Sequence, residues 1–214
     1  MDRRILLIGA TGLIGRQVAA LGGDRVHTLA RRPTGRADPE TVAPPADWPA
    51  EVRRLGGDVA VSALGTTWRA AGSEPAFRVV DLDMVVAFAE AARAAGIRHM
   101  IAISSVGADS HARAFYLRVK GEMEAALQAL GFERLDLVRP GLLRGNRGPE
   151  RRLGERAGVL LSPLVNLLLR GRLDRYAAID AAIVARAILT LAATDTPGTH
   201  IHHNRDLRRL ALGW

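Results

Sequence analysis

The chain of 214 residues contains no cysteine. Disulfides and thiolate metal sites are therefore excluded, and nothing in the fold calls for an oxidising compartment. Long apolar runs are missing as well. The stretch after Arg3-Arg4 breaks at Gly9 after four residues, too short for the apolar region of a secretory leader, and reads as a first strand. The later "GVLLSPLVNLLL" (158–169) is too short to span a bilayer and is interrupted by Ser162, Pro163 and Asn166. These absences lead to the expectation of a cytoplasmic protein with no membrane span. Aromatic residues make up only 4% of the chain, and lysine occurs once, at Lys120, against 29 arginines. The net charge of +8 is spread over scattered arginines without interleaved aromatics. That pattern argues against nucleic acid as a primary partner.

What is present is an alternation of short β-rich runs and helical patterns, the mark of a parallel sheet covered by helices. Strands are expected at 4–9, 25–30, 58–65, 99–105, 134–141 and 199–203. The spacing predicts helices after Gly12, over 74–95 (closed by Gly96), over 113–130 (ending at Gly131), over 150–169 and over 180–193. Residues 33–50 hold five of the ten prolines and read mostly as loop, with a brief edge strand near Thr41-Val42. The fold class is thus α/β, a Rossmann-type doubly wound parallel sheet in one domain. Its core runs over 1–141, and a C-terminal segment, 142–214, shapes the substrate site.

Between the first strand and first helix stands "GATGLIG". A dinucleotide pyrophosphate approaches backbone amides at such a turn, and side chains at Gly9, Gly12 and Gly15 would block it. The spacing is G-x-x-G-x-x-G, not the more common G-x-G-x-x-G, but its place after a strand and before a helix is the one the chemistry needs. Thr11, Leu13 and Ile14 complete the candidate loop. About 20 residues on, a fold of this kind places an acid on the adenosine ribose when it uses NAD. Here the strand ends in Arg31 and Arg32, whose guanidinium forks suit a phosphate, so NADPH (NADP) is expected over NAD.

Strand 99–105 ends in Ser104-Ser105, at the sheet edge where such folds bind ligands. Tyr116 follows, with Lys120 one helical turn later on the same face. Carbonyl reduction needs a hydroxyl that gives a proton to the developing alkoxide. A neighbouring ammonium favours the phenolate, and a serine orients the carbonyl. The lone lysine therefore sits where arginine, bulkier and planar, does not substitute.

"GATGLIG", "ISSVGAD", "YLRVKGE" and "LVRPGLLRG" together resemble the landmarks of the short-chain dehydrogenase/reductase superfamily in its atypical branch. "SALGTTWRAAGSEPAFRVVD" and "FYLRVKGEMEAALQALGFERLDLVRPG" look more narrowly like the Tat-interacting-oxidoreductase-like group of NAD(P)-binding proteins. The resemblance implies Tyr116 as acid, Lys120 as its modulator and a cofactor ligand, and Ser105 or Ser104 as third member. It also implies that Leu64, Gly65 and Thr66 line the cofactor and that Pro140, with Gly141, approaches the nicotinamide end. Many active members carry an asparagine in the long helix. Residues 74–95 have none, and Asp81 stands nearest that role.

Three functions remain in view: an NADPH-dependent reductase of a small carbonyl or enone, an NADPH-sensing regulator with little or no catalysis, and a nucleotide-sugar epimerase or dehydratase. The short region after residue 141 counts against the last. The partner is expected to be a small-molecule substrate, anionic if the arginines of 144–156 receive it, and apolar helix faces leave a homodimer open. "HIHHN" (200–204) puts His200 and His202 on one strand face and His203 on the other, with no acid beside them, so no metal site is expected.

Overall fold

The computed structural model describes residues 3–35, 39–145 and 171–214. The expected helix over 150–169 and most of the arginine-rich 144–156 lie outside these residues. Seven parallel strands form one sheet in the order β3-β2-β1-β4-β5-β6-β9. They are β1 (Ile5–Ile8), β2 (Val26–Ala30), β3 (Glu40–Val42), β4 (Val59–Ser62), β5 (His99–Ile103), β6 (Arg134–Val138) and β9 (Gly198–His202). A two-residue pair, β7 (Leu143–Arg144) with β8 (Ile179–Asp180), stands apart.

Both faces of the sheet are covered, and β1 shows why its sequence is apolar throughout. Successive side chains alternate across a strand. Ile5 and Leu7 pack with helices α1 (Leu13–Gly22), α7 (Ala181–Ala192) and α8 (Asn204–Leu212), through Val18, Val184, Ile188 and Leu207. Leu6 and Ile8 face α2 (Trp48–Leu55), α5 (Met84–Ala94) and α6 (Phe115–Ala129), through Val52, Phe88, Met123 and Leu127. The segment after residue 141 is thus built into the sheet through β9 and into one helical layer through α7 and α8.

Two features differ from the sequence expectation. The proline-rich stretch runs into a helix, α2, because Pro49 lies in its first turn, where a missing N–H costs nothing. The long helix over 74–95 is not uniform. Short α4 (Glu74–Arg78), capped by the Ser73 hydroxyl, passes into a π-helical turn at Val79–Asp83 before α5 begins. The extra residue in that turn rotates the helix face and carries Asp81 inward.

Candidate active site

Strand order reverses between β1 and β4, and the loops after these two strands flank the resulting crevice. The glycine loop follows β1. Gly9 has a φ of +84°, and a side chain there would run into the Ala63 backbone at 2.4 Å. At Gly15 an added Cβ would lie 2.2 Å from the Gly9 carbonyl oxygen, so these two glycines let the loop close on itself and on β4. Gly12 is different: an added Cβ meets nothing nearer than 3.3 Å. It is the N-cap of α1, no side chain among the described residues caps that helix, and its first turn holds no acid. The amides of Leu13, Ile14 and Gly15 have no carbonyl of their own helix to bond. A helix start left bare in this way suits an anionic group.

The neighbouring residues suit the rest of a dinucleotide. Gly9, Ala10 and Thr11 line a small cleft with Leu29, Ala30, Arg31, Arg32, Trp48 and Leu64. Both arginines are exposed, and the buried Trp48 is fixed by a bond from Nε1 to the Ala43 carbonyl at 3.0 Å. The side chain of Ile14 belongs to the core, which leaves only its amide to the site, while Leu13 packs at the core's margin. Gly65 is exposed, and the Thr66 amide donates to Asp81 Oδ2 at 2.8 Å.

That carboxylate links the loop after β4 to the lysine. Lys120 Nζ lies 2.8 Å from Asp81 Oδ1, off the line of a good hydrogen bond but in full ion-pair contact, and 3.4 Å from the Ile103 carbonyl. Lys120 is 3% exposed and Asp81 1%. An ammonium has three N–H groups, so besides the one that reaches the Ile103 carbonyl it has others to offer. Asp81 is a site residue that sequence reasoning placed nearby without assigning it. Its signal was an acid inside the apolar run "FRVVDLDMVVAF".

Tyr116, one turn before Lys120, lies in the first turn of α6 and is 41% exposed. Its ring meets Phe77 edge to face at 5.8 Å. Helix α6 can dip into the protein just beyond this point because Gly121 has no side chain. The backbone of Asp109 and Ser110 crosses it where a Cβ would sit 2.1 Å away. Both serines fall just past the end of β5. Ser104 is buried, and its Oγ has no hydrogen-bond partner among the described residues. Ser105 is half-buried and donates to the Val106 carbonyl at 3.3 Å. Pro140 is buried, its carbonyl accepting from the Val106 amide at 3.2 Å. The Arg139 before it donates from Nε to Glu124 on α6 at 2.8 Å, a bond that raises the pKa of the guanidinium above its ordinary value.

A larger cavity, about 550 Å³, opens at the other edge of the sheet and is lined by charged residues. Its arginines are already matched: Arg3 with Asp195, Arg98 with Glu133 at 3.0 Å, and Arg134 with Asp136 at 2.7 Å. Size does not make it the site, because the glycine loop, Lys120 and Tyr116 are elsewhere. Among the described residues no group of three or more His, Cys, Asp or Glu side chains is arranged so that it could hold a metal ion. His202 instead bonds Asp136 at 2.7 Å, and His200 bonds the Pro197 carbonyl at 3.2 Å. Among the described residues no helix is long and apolar enough to cross a membrane.

Known proteins match this arrangement. A family model described as NAD(P)H-binding matches residues 9–160. Several relatives are named "Protein FMP52, mitochondrial"; the one from Eremothecium gossypii is 38% identical over 170 residues, which is 75% of each chain. These names overturn the expectation of a cytoplasmic protein, since they point to mitochondria. A chain without thiols is indifferent to redox poise, so its lack of cysteine could not tell the two compartments apart. Among solved structures, a putative NAD-dependent epimerase/dehydratase from Bacillus halodurans superposes with a TM-score of 0.70 at 19% identity, covering 99% of this chain and 100% of that one. A short-chain dehydrogenase/reductase superfamily protein from Agrobacterium tumefaciens with bound NAD gives 0.67 at 17%, covering 94% and 77%. The chain therefore belongs to the NAD(P)H-binding family and has the Rossmann fold of the short-chain dehydrogenases/reductases and epimerase/dehydratases.

Proposed function

We propose that this protein is an NADPH-dependent oxidoreductase that reduces a small carbonyl or enone, with Tyr116 as the proton donor. The observation that carries the proposal is the pairing of an exposed tyrosine ring with a buried, charge-compensated lysine one turn later, beside a bare helix start that fits a dinucleotide phosphate. The glycine loop holds the pyrophosphate through the amides of Leu13, Ile14 and Gly15, and Arg31 and Arg32 receive the 2′-phosphate that separates NADPH from NADH. The cofactor, when bound, supplies the hydride. Tyr116 gives its phenolic proton to the oxygen of the reduced carbonyl. Lys120 pairs with Asp81, directs one N–H at the Ile103 carbonyl and offers another to a cofactor hydroxyl. Ser105, the more open of the doublet, orients the carbonyl, while Ser104 stands behind it in the wall.

A regulator that senses NADPH with little or no catalysis draws on one observation: Lys120 is already ion-paired. Tyr116→Phe separates the two readings. Under the reductase reading it binds NADPH as wild type does but loses hydride transfer by roughly a hundredfold or more, measured as NADPH oxidation against a panel of ketones and enones. Full turnover, or full biological effect without turnover, sinks the proposal. Replacing Arg31 and Arg32 with serine is expected to weaken NADPH by about tenfold or more and leave NADH unchanged. Equal wild-type affinity for both would remove the NADPH preference.

A further inference from the structure

Aromatic residues are scarce in this chain, yet four of its nine, Trp68, Phe77, Phe115 and Tyr116, stand together beside the candidate proton donor. They form a chain of edge-to-face contacts. Trp68 meets Phe115 at 5.6 Å and 76°, Phe115 meets Phe77 at 5.6 Å and 67°, and Phe77 meets Tyr116 at 5.8 Å and 75°. Only Phe77 is buried, as the anchor. Trp68 is 54% exposed, so its larger ring does not close a core.

The position of Trp68 is fixed from both sides. It begins the single-turn helix α3 (Trp68–Ala71). The Thr67 hydroxyl accepts from the Ala70 amide at 3.2 Å to cap its start, and Gly72, with φ of +78°, ends it. Two residues earlier, the Thr66 amide is tied to Asp81, which is tied to Lys120. The tryptophan is therefore mounted on the loop that lines the crevice, and its ring contacts bring it to the same aromatic chain as Tyr116. An aromatic ring left half in water at such a place keeps apolar area and a π face free for a ligand.

We infer that Trp68 and Tyr116 form an aromatic wall of the substrate site, and that the substrate class is an aryl-conjugated carbonyl rather than an aliphatic one. The inference rests on the oxidoreductase reading for its chemistry, but its test is one of binding. Acetophenone and cyclohexyl methyl ketone have the same carbon skeleton and differ in the aromaticity of the ring. Calorimetric titration of the full chain loaded with NADP⁺ compares the two ketones without turnover. Wild type is expected to bind acetophenone about fivefold more tightly, the worth of one favourable ring–ring contact. Trp68→Leu, which keeps an apolar side chain but loses the ring, should bring the two ketones to equal affinity, and Trp68→Phe should keep most of the preference. Equal affinity in wild type, or a preference untouched by Trp68→Leu, overturns the inference. A preference that depends on Trp68 in a protein that never oxidises NADPH with acetophenone upholds the aromatic wall and sinks the reductase reading.

Discussion

The buried ion pair between Asp81 and Lys120 gives the most exacting test of the site's construction. Asp81→Ala leaves an ammonium that is 3% exposed with, among the described residues, a single remaining partner, the Ile103 carbonyl at 3.4 Å. It also strips the Thr66 amide of its acceptor. Removing one partner of a buried pair costs about 3–5 kcal/mol, because the other charge stays buried without compensation. For a chain of this size each kcal/mol moves the melting temperature by roughly 2–4 °C, so a loss of about 10 °C is expected by calorimetry or circular dichroism. The double variant Asp81→Ala/Lys120→Met, which removes both charges, should recover much of that loss, and Asp81→Asn should fall between. Melting of Asp81→Ala within about 2 °C of wild type would refute the reasoning, as would strict additivity of the two single changes.

Lys120→Arg should keep the fold and sharply reduce turnover, since a planar fork cannot place its donors as the ammonium does; unchanged NADPH oxidation would return the lysine to an accident of composition. Gly15→Ala forces a methyl to 2.2 Å from the Gly9 carbonyl, so the loop must shift; about 1–3 kcal/mol of stability and most of the cofactor affinity should go together in melting and fluorescence titrations. Acid should destabilise the protein in two stages. Burial lowers His99 from its ordinary 6.5, so its contribution is whole above that pH and is lost as the pH falls toward the folded value. Burial acts to raise the Asp136 carboxyl, but hydrogen bonds from His202, His99 and Arg134 prevail and hold it well below its ordinary 3.8, so a second loss follows below that pH. Urea midpoints that do not change between pH 7 and 5 would contradict the first stage.

The glycine loop, the order of strands and helices, and the Tyr116–Lys120 pair could all be read from the chain because each is local. A turn, a period or a four-residue spacing announces itself. The partner of Lys120 could not. Asp81 reaches it only because the π-helical turn rotates the helix face by one residue, and no sequence pattern marks where a helix takes that extra residue. Helix α2 was hidden for another reason: the prolines before Trp48 read as loop, while Pro49 is tolerated at a helix start. The aromatic cluster joins residues from three segments, so scarcity drew attention to Tyr116 but not to Trp68.

Asp136 binds groups from three strands at once: His99 on β5, Arg134 on its own β6 and His202 on β9. Because β9 is the last strand of the sheet, this carboxylate is also a latch on its rim. When acid opens the latch, β9 can leave and bare a full row of β6 amides and carbonyls, the surface that strands of other molecules pair with most readily. The protein should therefore respond to acidification by self-association before it unfolds as a whole. Light scattering should rise as the pH falls below 3.8 while the circular dichroism of the sheet is still intact.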